Sequence, residues 1–265
     1  MSATNIIRAA DLKVGSIEAA GIKTLDTGGK IVWLKHGSDN SPIIIQTAVL
    51  RTPTGIREDI YKKKDGEERP GDVRPDAPQK WSMELALDET AELKILQDFD
   101  SRILDLATEA KGKWLQVKSY DRSSLDNNYN NTVRVPRDAH GNVSDRWPIT
   151  VKVNVAKKNG AFVPEVWDAS HMPIPMDEFL GRSKNAQVTA IIRCTGVWLA
   201  GGRFGTTWQL QQLLVHSTKA SLNSFAFIDV GPPVAFAPAA AAAPAAAPPR
   251  AAPPQTEEEY LEDSE

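Results

Sequence analysis

Residue types able to do covalent or metal chemistry are few in this chain and poorly spaced for it. The one cysteine, Cys194, sits inside the apolar run Ile191-Ile192-Arg193-Cys194-Thr195-Gly196-Val197. A thiol there, with no adjacent base to activate it, is expected to be a small core side chain. The four histidines, His36, His140, His171 and His216, are far apart and show no zinc-ligand spacing. No GxxxxGK[ST] phosphate loop occurs. Gly201-Gly202-Arg203-Phe204-Gly205 is glycine-rich but joins two expected strands rather than a strand to a helix. The carboxylates Asp98, Asp105 and Glu109 read as the solvated face of a helix. The expectation is a protein that is not an enzyme and uses neither metal nor cofactor.

What the chain does carry is aromatic rings interleaved with bases. Trp33 lies between Lys30 and Lys35, and Trp114 is surrounded by Lys111, Lys113 and Lys118. Tyr120 precedes Arg122, Arg146 precedes Trp147, and Arg203-Phe204 is followed by Trp208. Single-stranded nucleic acids are held by this mixture, cations tracking phosphates while flat rings stack on bases. The expected phosphate contacts are Lys62, Lys63, Lys64, Lys113, Arg134, Lys152 and Arg203. The expected stacking set is drawn from Trp33, Trp114, Tyr120, Tyr129 and Trp208. Trp81, Trp167 and Trp198 are assigned to the core.

The elements that must position these residues are mostly strands. Period-2 alternation or β-branched density marks 12–18, 30–36, 43–50, 81–87, 149–155, 161–167, 187–199 and 206–216, with a brief pairing at 132–136. Asn159-Gly160 is a hairpin turn. One long helix is expected over 89–111, capped by Asp88 and closed by Gly112, with Leu96, Phe99, Ile103, Leu106 and Ala110 on one face and Asp98–Arg102 as an i,i+4 pair. A short helix is expected over 175–181. Residues 51–79 and 119–146 read as long polar loops. Without β-α-β alternation, the sum is a β-rich barrel with an inserted central helix.

The C-terminus is different in kind. In residues 232–254, 20 of 23 are Ala or Pro. Such a tract cannot propagate a helix, so a disordered, extended spacer is expected, reaching roughly 70 Å at about 3.1 Å per residue. It leads to Thr256–Glu265, where Glu257, Glu258, Glu259, Glu262, Asp263 and Glu265 flank Tyr260 and Leu261. The organisation read from this is a body over 1–231, a linker over 232–255 and an acidic tail over 256–265. Net charge is −3, yet the chain without its tail has 28 acids against 31 bases. Body and tail competing for one polyanion, or a tail recruiting basic partners, would produce this asymmetry. One cysteine and no signal-like apolar start point to a reducing, intracellular compartment. No apolar window long enough for a bilayer exists outside the Pro-rich tract, so no membrane association is expected.

Three stretches carry a resemblance: Pro42–Ile56, the central helix, and Val188–Val215 with its Gly-Val-Trp, Phe-Gly and Trp-x-Leu-x-Gln elements. The layout resembles the OB-fold single-stranded DNA-binding proteins of large eukaryotic DNA viruses, related to those of short-tailed phages. The resemblance implies a mainly β, OB-fold-like barrel with an inserted central α-helix and extra β-hairpins. It also implies sequence-independent binding of single-stranded DNA in viral replication, recombination or repair, in the host cytoplasm or nucleus. It further implies a tail that competes for the DNA groove and contacts replication proteins such as a polymerase or helicase-primase. The phage tails end on an aromatic residue, whereas here Tyr260-Leu261 is internal. Homo-oligomerisation is left open, as is DNA against RNA preference. The residues alone also accommodate a β-sandwich chaperone or assembly factor whose acidic tail holds basic proteins, and a virion structural protein with a solubilising tail.

Overall fold

β-branched runs and a bend between two of them decide the architecture seen in the computed structural model. The structure describes residues 5–218 apart from 27, 38–40, 60–79, 89, 116 and 118. In chain order the strands are β1 (Ile7–Arg8), β2 (Ile17–Thr24), β3 (Lys30–His36), β4 (Ile44–Arg51), β5 (Ile56–Glu58) and β6 (Trp81–Ala86). Helices α1 (Ala91–Ala110) and α2 (Arg122–Asn128) follow. Then come β7 (Tyr129–Asn130), β8 (Val133–Arg134), β9 (Thr150–Val155), β10 (Lys157–Lys158), β11 (Ala161–Phe162), β12 (Glu165–Asp168) and β13 (Pro173–Ile174). Helix α3 (Met176–Leu180) leads into the long hairpin β14 (Gln187–Ala200) and β15 (Arg203–Ser217).

Hydrogen bonding runs β4-β14-β15-β9-β6-β5 across the sheet. Because β4 continues into β5 through residues 52–55, the two ends of that path are one bent strand and the sheet closes on itself. Pairs β4–β14, β14–β15, β9–β6 and β6–β5 are antiparallel, and β15–β9 is parallel. That is the connectivity of an OB-type barrel. The bend is pinned where Thr52 N–H donates to Ala186 O (3.0 Å), Asn185 N–H donates to Thr52 O (2.7 Å) and Ile56 N–H donates to Ser183 Oγ (3.0 Å). Gly55 sits at the corner with φ +69°, and a Cβ there would lie 2.8 Å from Lys184 N, so only glycine fits.

Alternation fills the barrel. Val151, Val153 and Val155 are buried, with Met83 and Leu85 opposite, while Lys152 and Asn154 face outward. Helix α1 lays Leu96, Phe99, Ile103 and Leu106 against this core, Phe99 meeting Trp208 at 5.2 Å between ring centroids. Burying each such side chain contributes about 1.5–3 kcal/mol. The buried Glu92 ties the helix to the barrel by accepting from Ala48 N–H at 2.7 Å. On β14, a register shift between Cys194 and Gly196 lets the strand leave β4 and pair with β3 through Val197, Trp198 and Leu199.

The expected mainly β barrel with a central helix is what the chain forms. Several local expectations differ. Residues 12–18 hold a 3-10 turn at Val14–Ser16, and the strand begins at Ile17. Helix α1 starts after Thr90, and Asp88 instead accepts from Ile149 N–H at 2.8 Å, holding the entry to β9. The helix ends before Gly112, with Lys111 at φ +45°. Arg102 pairs not with Asp98 but with Glu109 at 3.3 Å, and also donates to Ile17 O. The 161–167 stretch is two pieces, β11 turning on Asn159-Gly160 and β12 pairing parallel with β15. Inside 119–146 lies α2, whose Asp121 caps it by accepting from Ser124 N–H at 2.9 Å. The expected boundaries at 231 and 255 lie outside the described residues.

Candidate nucleic-acid interface

The outer surface of β5, β6 and β9 gathers cations and polar side chains, with an open aromatic ring at its end. Register fixes who stands beside whom. Arg57 is opposite Ser82, Ser82 opposite Asn154, and Asn154 opposite Gln209. Gln209 is opposite Arg193. Two residues along, Glu84 is opposite Lys152, and two further, Arg134 of β8 is opposite Thr150. The result is a polar row crossing the strands, bearing Arg57, Arg134, Lys152 and Arg193.

Two carboxylates pair with three of these cations, Arg57, Arg134 and Lys152. Glu84 Oε1 lies 3.3 Å from Arg57 Nη2 and 3.7 Å from Arg134 Nη1. Asp59 accepts from Lys152 Nζ at 2.5 Å and from Ser82 Oγ at 2.7 Å. Burial pushes the Asp59 carboxyl up, but the hydrogen bonds from Lys152 and Ser82, with the charges of Lys152 and Arg57, outweigh it and leave it below the usual carboxylate range. Both arginines are about half exposed, so either can swing to an incoming anion.

Trp147 stands at one end of this row, 61% exposed. It separates two shallow grooves of about 370 and 360 Å³. Arg51 and Arg146 line one, beside Asp88 and Asp145; Arg57 and Arg134 line the other, beside Glu84 and Val135. Pro148, with no N–H, keeps the segment from extending the sheet, so the ring stays at the surface just before β9. A flat, open ring with guanidinium groups on both sides can stack a base while the cations meet its phosphates. At the opposite end of β6, Lys157 Nζ lies 5.3 Å from the Trp81 ring and 5.0 Å from Phe162.

The expected site residues divide sharply. Arg134 and Lys152 belong to the row. Arg203 is exposed at the tip of the β14–β15 hairpin, and Lys113 is exposed beyond α1. Trp33 is 44% exposed but lies on β3, which joins the barrel through the last residues of β14 rather than through β6 or β9. Tyr120 is half-buried, its hydroxyl donating to Leu115 O at 3.0 Å. Three expected stacking rings are corrections. Trp208 is 2% exposed and packs on Phe99; Trp114 is 5% exposed; Tyr129 is 7% exposed and packs on Phe204. The Tyr129 hydroxyl donates to Asp100 Oδ1 at 2.6 Å, and burial together with the Asp100 charge raises its pKa. None of the three presents a free face. Trp81, Trp167 and Trp198, assigned to the core, are only partly buried. Lys62, Lys63 and Lys64 and the tail residues Glu257–Glu265 lie outside the described residues.

Arg57, Arg193 and Trp147 were absent from the sequence-derived site. Trp147 had a readable signal, a ring inside a polar stretch with no apolar periodicity around it and a proline behind it.

No protein-family model matches the chain, and no curated protein does. Solved structures similar to it include the single-stranded DNA-binding protein from bacteriophage Enc34 in complex with ssDNA, at 12% identity and a TM-score of 0.41, covering 73% of this chain and 92% of that one. A C-terminal truncation of the same phage protein gives 12% identity and a TM-score of 0.41, covering 77% and 97%. A further structure of the phage protein gives 12% and 0.39, covering 80% and 96%.

Proposed function

We propose that the chain binds single-stranded DNA, largely without regard to sequence and without catalysis, across the outer face of β5, β6 and β9. The observation that carries this reading is Trp147, an open ring between two grooves that each hold two arginines among carboxylates, at the end of a polar cross-strand row. OB barrels take oligonucleotides on the face formed by their second and third strands, the positions of β6 and β9 here. Phosphates meet Arg57, Arg134, Lys152 and Arg193, and a base stacks on Trp147. The phage proteins similar in fold are named as single-stranded DNA-binding proteins, which supports the same direction. In this reading the protein serves viral DNA replication, recombination or repair, inside the host cell. The acidic tail then occupies the cationic face when DNA is absent and contacts replication proteins when DNA displaces it.

The test titrates a labelled oligothymidine with wild-type protein and with Trp147→Ala, following anisotropy and intrinsic fluorescence. Wild type is expected to bind saturably with quenching. The variant is expected to lose about 1–3 kcal/mol, roughly five- to 150-fold in affinity, while keeping its thermal stability. No binding by wild type would overturn the function. Full binding by Trp147→Ala would overturn this placement of the interface.

A further inference from the structure

We propose that β2 is the self-pairing edge of a homodimer, two copies joining antiparallel through Glu18–Lys23. This inference uses none of the residues assigned to DNA and does not depend on that reading.

β2 is an unusual edge. Among the described residues it pairs only with β3, and every residue after Ile17 is exposed. Natural edges are blunted by proline, like charges or cover. This one reads Glu18-Ala19-Ala20-Gly21-Ile22-Lys23, with small residues in the middle and opposite charges at the two ends. Arg102 Nε donates to Ile17 O at 3.1 Å, so a helix side chain already occupies the start of the strand and the free stretch begins at Glu18.

A bulge makes the edge self-complementary. Glu18 pairs with Lys35 and Ala19 with Leu34, then Gly21 with Trp33, Ile22 with Val32 and Lys23 with Ile31, leaving Ala20 as the extra residue. Counting through the bulge, Glu18, Gly21 and Lys23 share one face, and Ala19 and Ile22 share the other. A two-fold copy laid antiparallel about Gly21 therefore sets Glu18 opposite Lys23 of the copy, twice, and Ala19 opposite Ile22 of the copy, twice. Side chains that meet lie on matching faces, as an antiparallel sheet requires.

The charges and shapes agree with that occupant. Glu18 already lies 3.0 Å from Lys35 Nζ, so the copy's Lys23 would complete an alternating Lys–Glu–Lys line across three strands. Ile22 is 44% exposed. A cleft of about 600 Å³ lies between β2 and α1, walled by Ala19, Ile22, Leu106 and Trp114, with Arg102 and Glu109 beside them. Ile22 of the copy, set against Ala19, reaches that cleft. At the axis, nothing lies within 4 Å of a Cβ built on Gly21, so the two backbones can approach.

The test is sedimentation velocity on the full chain, with Glu18→Lys, Lys23→Glu and their equimolar mixture. Wild type is expected to be a dimer in equilibrium with monomer. Each variant alone sets like charges opposite each other twice and should weaken the dimer roughly tenfold or more. Mixed, one copy carries two lysines and the other two glutamates, so a heterodimer should form with near wild-type affinity. Gly21→Cys provides an independent readout, a disulfide-linked dimer on mild oxidation, since the remaining thiol, Cys194, is buried. A wild type that is monomeric at all accessible concentrations would overturn the proposal. So would variants that dimerise unchanged, a mixture that stays monomeric, or a Gly21→Cys protein that does not cross-link.

Discussion

Asp59 shows how a single carboxylate sets the charge balance of the proposed binding face. Its bonds to Lys152 and Ser82 keep the lysine folded onto the sheet, and its charge subtracts from the field that a phosphate would feel. Asp59→Asn keeps the shape, removes the charge and frees Lys152. It is expected to tighten oligothymidine binding several-fold at low salt and to steepen the salt dependence, each added phosphate contact contributing about 0.7 to the log–log slope. The same group has a pH signature. Its folded pKa lies below the ordinary value, so its contribution to stability is present above the unfolded pKa of about 3.9. That contribution is lost as pH falls through the lower, folded value. Urea melts between pH 5 and 2 should show wild type losing more stability on acidification than Asp59→Asn. Equal losses, with unchanged affinity, would show that the ion pair influences neither property.

At the scale of elements, α1 and the segment after α2 are joined by one buried acid. Asp100 accepts from the Tyr129 hydroxyl at 2.6 Å and from the backbone N–H groups of Thr132 (3.0 Å) and Val133 (3.3 Å). Burial pushes its carboxyl up, against the pull of those hydrogen bonds. Asp100→Ala strands three buried donors at about 1–3 kcal/mol each; with partial relaxation, a loss of about 3–5 kcal/mol is expected in a urea melt. A loss under about 1 kcal/mol would show that water replaces the carboxylate without cost. This network was half legible in the sequence. Asp100 falls on the apolar stripe with Leu96, Phe99 and Ile103, and a carboxylate there asks for partners. Which donors answer depends on chain that returns some thirty residues later, and no local pattern reveals that. Trp208 was readable too, since Trp208 and Leu210 alternate with Gln209 and Gln211 and so share the inner face. Weighting its nearness to Arg203 over that alternation gave the wrong side. The barrel strands were legible because period-2 burial is written residue by residue, as at 149–155. β2 was not, because an exposed edge of Ala and Gly has no apolar rhythm, and its pairing with β3 is what makes it a strand.

For the whole molecule, the open question is how the cationic face and the acidic tail share one chain. The chain outside the tail is mildly basic, 31 bases against 28 acids, and the tail concentrates six carboxylates in ten residues. We propose that, under the DNA-binding reading, the Ala- and Pro-rich tract serves as a tether, which would give the tail a high effective concentration at the face at little cost to displacement. Under the DNA-binding reading, each bound strand must first evict the tail, so the tail raises the apparent dissociation constant without touching DNA. Removing Thr256–Glu265 should therefore tighten oligothymidine binding, and the gain should be largest at low salt. It should shrink as the screening length falls from about 30 Å at 0.01 M to about 10 Å at 0.1 M. A protein ending at Gln255 keeps every residue of the β5–β6–β9 face, so a gain in affinity cannot come from an altered face. A gain that fades with salt locates the competitor in the tail's charge. Equal affinity at every salt concentration would leave the face as the DNA site and remove the tail from its regulation, and weaker binding would make the tail a contact rather than a competitor.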